Sequence, residues 1–278
     1  MKKNFLYSLV VLLITALLIT GCSKNIVEEP VQDGIKLKTV AKTVYSILYV
    51  PAWLINPPEG ETAVGIAWDS NKKKYSALDI AREFAVVSLS RNHGSFIVDK
   101  TAVLDLASQL DSSEKKADLK VVVSADTLYL NNIGKKLKPL AETSFHGYKL
   151  FLMGTQETDI NNDLISVSAS NLPRWCYTQN TTEDDNYVYV SAKAEDADLI
   201  TAWKLAQENA LRSLAQYRLQ KVSALIKSTD DNLERAMLIE TVTSNSNASF
   251  SRIWLYHKLV NNAPSYTVFM MLKSPKQN

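Results

Sequence analysis

Glycine is scarce in this chain, with 8 in 278 residues, cysteine occurs twice and histidine three times. So few glycines leave little room for phosphate-cradling loops. Neither a P-loop, a dinucleotide Gly-x-Gly-x-x-Gly nor a Gly-x-Ser-x-Gly elbow occurs. The histidines, His93, His146 and His257, stand far apart, without His-x3-His, His-Glu-x-x-His or Cys-x-x-Cys spacing, so a zinc site is not indicated. Long apolar runs are missing too, apart from Phe5 to Thr20, which excludes a polytopic membrane protein. Charge of one sign is also lacking. The 31 basic side chains exceed the 29 acidic ones by two, and Lys2 and Lys3 supply that excess. Without them 29 face 29, and a neutral chain has no global field for nucleic acid or anionic lipid. Hydrophobic residues at 46% and charged residues at 22% match an ordinary globular protein rather than a disordered or coiled-coil one.

What is present begins at the N-terminus. Lys2 and Lys3 followed by Phe5–Thr20 have the layout of a secretory signal peptide, and 16 apolar residues fall short of the ~20 that cross a bilayer as a helix. Ile19-Thr20-Gly21-Cys22 looks like a bacterial lipobox. Small residues there admit a peptidase to the backbone, and the Cys22 thiolate accepts the diacylglycerol. Several acyl chains then hold the protein stably where one would not. Ser23, in place of Asp, points to outer-membrane sorting. Acylation of Cys22 leaves Cys176 without a disulfide partner, and its place beside Trp175 suits a small buried hydrophobe.

Past the leader (residues 1–21) and a lipidated tether (22–45, carrying Glu28-Glu29-Pro30), the sequence reads as two related units, 46–158 and 159–278. Pro51-Ala-Trp53 recurs as Pro173-Arg-Trp175. The strand Ala63–Trp68 is matched by Tyr187–Ala192, the helix alanines 77, 81 and 85 by 202, 206 and 210, and Tyr148–Met153 by Tyr266–Met271. Apolar residues at 77, 78, 81, 84, 85 and 89 predict one helix. Those at 199, 203, 206, 210 and 214 predict another, with Gln207, Glu208, Arg212, Arg218 and Lys221 on its outer face. A short second helix is expected at Leu233–Glu240. Strands are expected at Ser95–Val98, Val121–Val123, Leu150–Met153, Ser251–Val260 and Tyr266–Leu272, with turns at His146-Gly147 and Asn261-Asn-Ala-Pro264. The expected fold class is α+β: two tandem modules, each a long helix on a small antiparallel sheet.

Pro51-Ala-Trp53, Asn56-Pro57-Pro58, Val64-Gly65-Ile66-Ala67 and the helix from Ala77 resemble the Lpp-twenty-like family of bacterial envelope lipoproteins. The module also resembles the N-terminal domain of a flagellar assembly protein of the outer membrane. The likeness spans roughly residues 50–275. The second unit departs from it, with Tyr189-Val190-Ser191 in place of the glycine-containing strand and without the Asn-Pro-Pro turn. The resemblance implies an envelope lipoprotein or periplasmic assembly factor, with no catalytic residue to carry over.

The side chains agree with a non-enzyme that needs no cofactor or metal. His93 suits a helix end, His146 a turn and His257 a strand. A hydrolase would need one of them beside a carboxylate and a nucleophile. Glu183-Asp184-Asp185 lacks the alternating ligands and central Gly of an EF-hand and reads as a solvated loop. Asp79, Arg82 and Glu83 read as ordinary helix-surface charges. Trp53, Trp175 and Trp203 occupy apolar positions that a fold buries, whereas Trp68 and Trp254 are candidate ligand contacts. The expected function is that of an outer-membrane-anchored, non-catalytic envelope assembly or interaction module, with an envelope protein as partner, the membrane held through Cys22, and no nucleic acid. The alternative is a glycan- or peptide-binding lipoprotein with a cleft between its units.

Overall fold

One close approach between strand and helix explains much of the architecture. Gly65 lies so near a helix that a Cβ there would sit 2.2 Å from the Ala81 carbonyl oxygen. Only a strand without a side chain at that point, facing alanines, lets a helix come this close.

The structure is a computed structural model and describes residues 42–69, 75–94, 96–97, 122–123, 132–177, 181–227 and 247–276. Cys22 and the helix expected at Leu233–Glu240 lie outside the described residues. The elements are β1 (Thr43–Tyr45), β2 (Leu48–Pro51), α1 (Ala52–Ile55), β3 (Thr62–Trp68), α2 (Ala77–Asn92), β4 (Phe96–Ile97) and β5 (Val122–Val123). They continue with β6 (Lys138–Phe145), β7 (Tyr148–Gly154), β8 (Leu164–Val167), α3 (Arg174–Tyr177) and β9 (Thr181–Glu183). β10 (Tyr187–Asp196), α4 (Leu199–Lys227), β11 (Ser249–Val260) and β12 (Ala263–Pro275) complete the chain. All sheet pairings are antiparallel: β3-β7-β6, β1-β11-β12-β10-β9, and the two-stranded β2-β8 and β4-β5.

The expected pair of tandem modules, each a long helix on a small sheet, is not what the chain builds. It is a mixed α/β fold with one main helix, α4, of 29 residues; α2 has 16, and the two large sheets have three and five strands. Helix α2 starts where the Ser76 hydroxyl accepts the Asp79 amide N–H, and it stops at Asn92-His93-Gly94. Nothing comparable interrupts α4, whose apolar positions run on through Leu214, Leu219 and Val222. The halves are also laced together: β1, ahead of everything else, joins the sheet of β11 and β12, and β2 pairs with β8. Hydrophobic periodicity is a local signal and carries no information on such distant pairing.

What the two large sheets share is a rule of connection. In each, a strand, a helix and a hairpin follow in order, and the hairpin's second strand pairs with the opening strand: β7 with β3, and β12 with β10. Both hairpins turn on two residues with positive φ, His146 (49°) and Gly147 (80°) in one, Asn261 (51°) and Asn262 (66°) in the other. That geometry matches the right-handed twist of the flanking strands and favours Asn and Gly.

The core follows the alanine and tryptophan pattern. Ala81, Ala85, Ala202, Ala206 and Ala210 are fully buried, as are Trp53 and Trp203; Trp175 is half-buried against the core. Gln207 and Arg218 reverse the sequence expectation. Assigned to the outer face of their helix, both are buried, because α4 has protein on more than one side and its polar side chains find partners there.

Candidate functional site

Two polar junctions hold the layers together, and between them opens a cleft. The first junction is Gln207 of α4. Its amide oxygen accepts the Ser88 hydroxyl at 3.0 Å, and its amide nitrogen donates to the Ser88 carbonyl at 2.9 Å and to Asn92 Oδ1 at 2.8 Å. A buried side-chain amide satisfied on both ends fixes the spacing and register of α2 against α4. The second is Tyr148 of β7. Its hydroxyl donates to Asp198 Oδ1 at 2.8 Å and accepts the Leu199 amide at 3.2 Å, while Asp198 Oδ2 accepts the Thr201 amide and hydroxyl. Asp198 therefore caps α4 and is itself held from the other sheet. Burial pushes its carboxyl up, but the hydrogen bonds from Thr201 and Tyr148, with Lys204 nearby, outweigh that and hold it below the usual carboxylate range. Burial pushes the Tyr148 hydroxyl up to about 12; the Leu199 amide works against this, and the bond to Asp198 and its charge add to it.

The cleft, with a volume of about 350 Å³, lies where the end of β3 meets both helices. Ile66 and Trp68 form one wall, and Ile80, Phe84 and Val87 of α2 a second. Ile200 of α4 closes the third side. Ser88 and Gln207 also line it, and Glu83, Arg91 and Lys204 bring charge to it. Lys204 Nζ stands 5.5 Å from the centre of the Phe84 ring, within cation–π range. A hollow of this size, apolar with a few charged groups, matches small-ligand sites in general. Trp68 is 42% exposed, and so presents much of its indole to whatever enters.

Of the two tryptophans singled out in the sequence, Trp68 is thus at a concave surface. Trp254 is not: it is 6% exposed, its indole N–H donating to the Ser168 carbonyl. Ile80 and Val87 escaped the sequence reading, which followed the sheet-facing stripe of α2. With Phe84 they form a second apolar stripe at four- and three-residue spacing, and that is the signal that would have found them.

The histidines do not all stand apart. His146 and His257 come together with ring centres 4.4 Å apart, the latter also 5.0 Å from the Tyr266 ring. His257 is buried, and its Nδ1 meets the Ser46 hydroxyl at 3.0 Å. In an acyl-transfer triad that nitrogen faces a carboxylate; here it faces a serine, so the orienting acid is not at that position. Burial, then the neighbouring His146, lowers the pKa of His257. His93 forms the C-cap of α2. Among the described residues no group of three His, Cys, Asp or Glu side chains is placed to hold a metal ion.

The acidic stretch at 183–185 serves the fold. Asp184 accepts the amides of Asn186 and Tyr187 and the Tyr189 hydroxyl, and Glu183 pairs with Lys221 and Lys276, both at 3.3 Å. Cys176 is buried, and burial pushes its thiol up to about 12, far from the thiolate a nucleophile needs.

Comparison of the chain with protein-family models finds no match, and comparisons with curated proteins and with solved structures find none either.

Proposed function

We propose that this chain is a non-catalytic interaction module of the bacterial cell envelope, held to the membrane through lipid on Cys22, which receives its ligand in the cleft of Trp68, α2 and α4. The cleft is the observation that carries this reading: an apolar hollow of about 350 Å³ with a half-exposed indole at its wall. An indole face packs equally well on the C–H face of a sugar and on apolar peptide side chains. The two cations and one anion at its lining give a bound peptide or glycan an orientation. A peptide segment of an envelope partner in this cleft would make assembly and ligand binding one activity. The lipobox and the resemblance to Lpp-twenty-like lipoproteins supply the envelope setting.

The test combines two readouts on the full chain in vesicles. Trp53, Trp203 and Trp254 are buried, so a glycan and peptide panel should shift emission chiefly through Trp68. Loss of the shift in Trp68→Ala with unchanged folding is the expected result. Crosslinking in intact envelopes, beside a Cys22→Ala control, should capture a partner through α2 or α4. A silent panel together with crosslinks confined to other faces would overturn the reading.

A further inference from the structure

Half of the ten large hydrophobic side chains exposed among the described residues belong to one stretch and its partner strand: Val44, Tyr45, Ile47 and Tyr49 within six positions, and Leu164 on β8, which pairs with β2. The β2-β8 pairing sets Tyr49 opposite Ser166 and Pro51 opposite Leu164, so Tyr49 and Leu164 share one face of that ribbon. Ile47, just ahead of β2, is exposed like Tyr49, with Leu48 and Val50 buried in alternation with them. Tyr49 is 67% and Leu164 69% exposed, and apolar side chains exposed together on one face, rather than singly, mark contact surfaces. This patch is also where the described chain begins. Lys42 is its first residue, and Cys22 stands 20 residues earlier. Twenty residues span at most about 70 Å, and they join the described body beside this face, so lipid on Cys22 pulls on the molecule from this side.

We infer that the Ile47–Tyr49–Leu164 face, flanked by Val44 and Tyr45, docks on the headgroup–acyl boundary of the membrane that holds the lipid anchor. The inference rests on the anchoring at Cys22 proposed above. The chemistry fits that zone: tyrosine is apolar at its ring and polar at its tip, and so favours membrane–water interfaces. Lys42 at the margin can keep its ammonium in water while its stem covers apolar surface. Asp163 beside Leu164 disfavours a strongly anionic headgroup layer, so the contact is with the apolar boundary rather than with lipid charge. Docking would seat the body of the protein in one orientation, where the tether alone would leave it free to turn.

The experiment uses the full lipidated chain in vesicles of phosphatidylethanolamine and phosphatidylglycerol, doped with a phospholipid carrying a diazirine at the headgroup end of its acyl chain. After photolysis, label is expected in peptides spanning 42–51 and 160–168. Replacing Ile47, Tyr49 and Leu164 together by Ser, all at exposed positions, should cut that label about tenfold, as a modest loss of binding free energy does. Circular dichroism should be unchanged. Co-flotation with the vesicles separates the two readings. A chain that does not float refutes the anchor; one that floats but takes label elsewhere, or crosslinks to a second copy through β1, refutes the docking.

Discussion

Helix α2 on its three-stranded sheet and helix α4 on its five-stranded sheet solve the same packing problem by different means. The first relies on smallness. Gly65 and Ala81 bring backbone almost onto backbone, and a 16-residue helix buries its alanines there with little side-chain volume between. The second adds bulk to its buried alanines, Ala202, Ala206 and Ala210. Along 29 residues α4 buries Trp203, Leu211, Leu214 and Leu219, and it closes its far end with Arg218, whose guanidinium donates to the Ser274 hydroxyl at 2.6 Å. Close packing tolerates no extra atom, whereas voluminous packing tolerates no missing one. The cleft opens where the two helices meet, with the outer stripe of α2, Ile80, Phe84 and Val87, facing Ile200, Lys204 and Gln207 of α4.

The sharpest way to break this contrast is Gly65→Ala. The new methyl would meet the Ala81 carbonyl at 2.2 Å and its carbon at 2.7 Å, so α2 has to move. A loss of about 3 kcal/mol, at the upper end for overpacking, should appear in urea unfolding. The same Gly→Ala change at exposed Gly60 or Gly147 meets no atom within 4 Å and is strained only by its positive φ, so it should cost less.

Next comes the junction between the two helices. Gln207→Leu removes all three bonds and leaves the Ser88 hydroxyl short of its acceptor; a cost of about 2 kcal/mol is expected. The cleft should lose definition with it, read as weaker quenching of Trp68 by a bound ligand.

Tyr148→Phe cuts the tie from the small sheet to the start of α4, with a cost of about 1 kcal/mol. Its pH dependence has a definite sign. The Asp198 carboxyl is held low in the folded protein, so its contribution is present above the unfolded carboxylate pKa and disappears as pH falls through the folded value. The gap between wild type and Tyr148→Phe should therefore be full at neutral pH and shrink in acid, as thermal melts at a series of pH values would report. A constant gap would mean that Tyr148 acts through packing alone. Smallest of all, Arg212→Ala breaks an exposed i,i+4 pair with Glu208 at 3.0 Å and should change stability by no more than about 0.5 kcal/mol.

The sequence was legible where the governing physics is local. Both hairpin turns, the alanine stripes, the burial of Trp53 and Trp203 and the inert Cys176 follow from residues a few positions apart. The misreadings share one cause. Gln207 and Arg218 look polar and therefore exposed, and only partners 119 and 56 positions away, Ser88 and Ser274, make them core residues. His146 and His257 looked solitary because their meeting depends on how two hairpins stack. The matching alanine stripes suggested two like modules, but a stripe reports a helix's contact face and not which strands close its sheet. The cleft was half legible: Trp68 could be picked out, but the stripe opposite it, Ile80 and Val87, was overlooked beside the stronger core pattern.

Strand β1 has a consequence for how the molecule is made. Thr43, Val44 and Tyr45 pair with Val260, Leu259 and Lys258, so the first described strand waits for nearly the last hairpin before it has a partner. Loop closure over such a separation is slow, and high contact order lowers folding rates. A chain emerging N-terminus first would hold β1 unpaired until Lys258–Val260 of β11 had appeared. Loss of β12 would strip β10 and β11 of their shared neighbour and leave β1 tied to a single orphan strand. Assembly of the larger sheet is thus a late event, one that waits for β11 and β12.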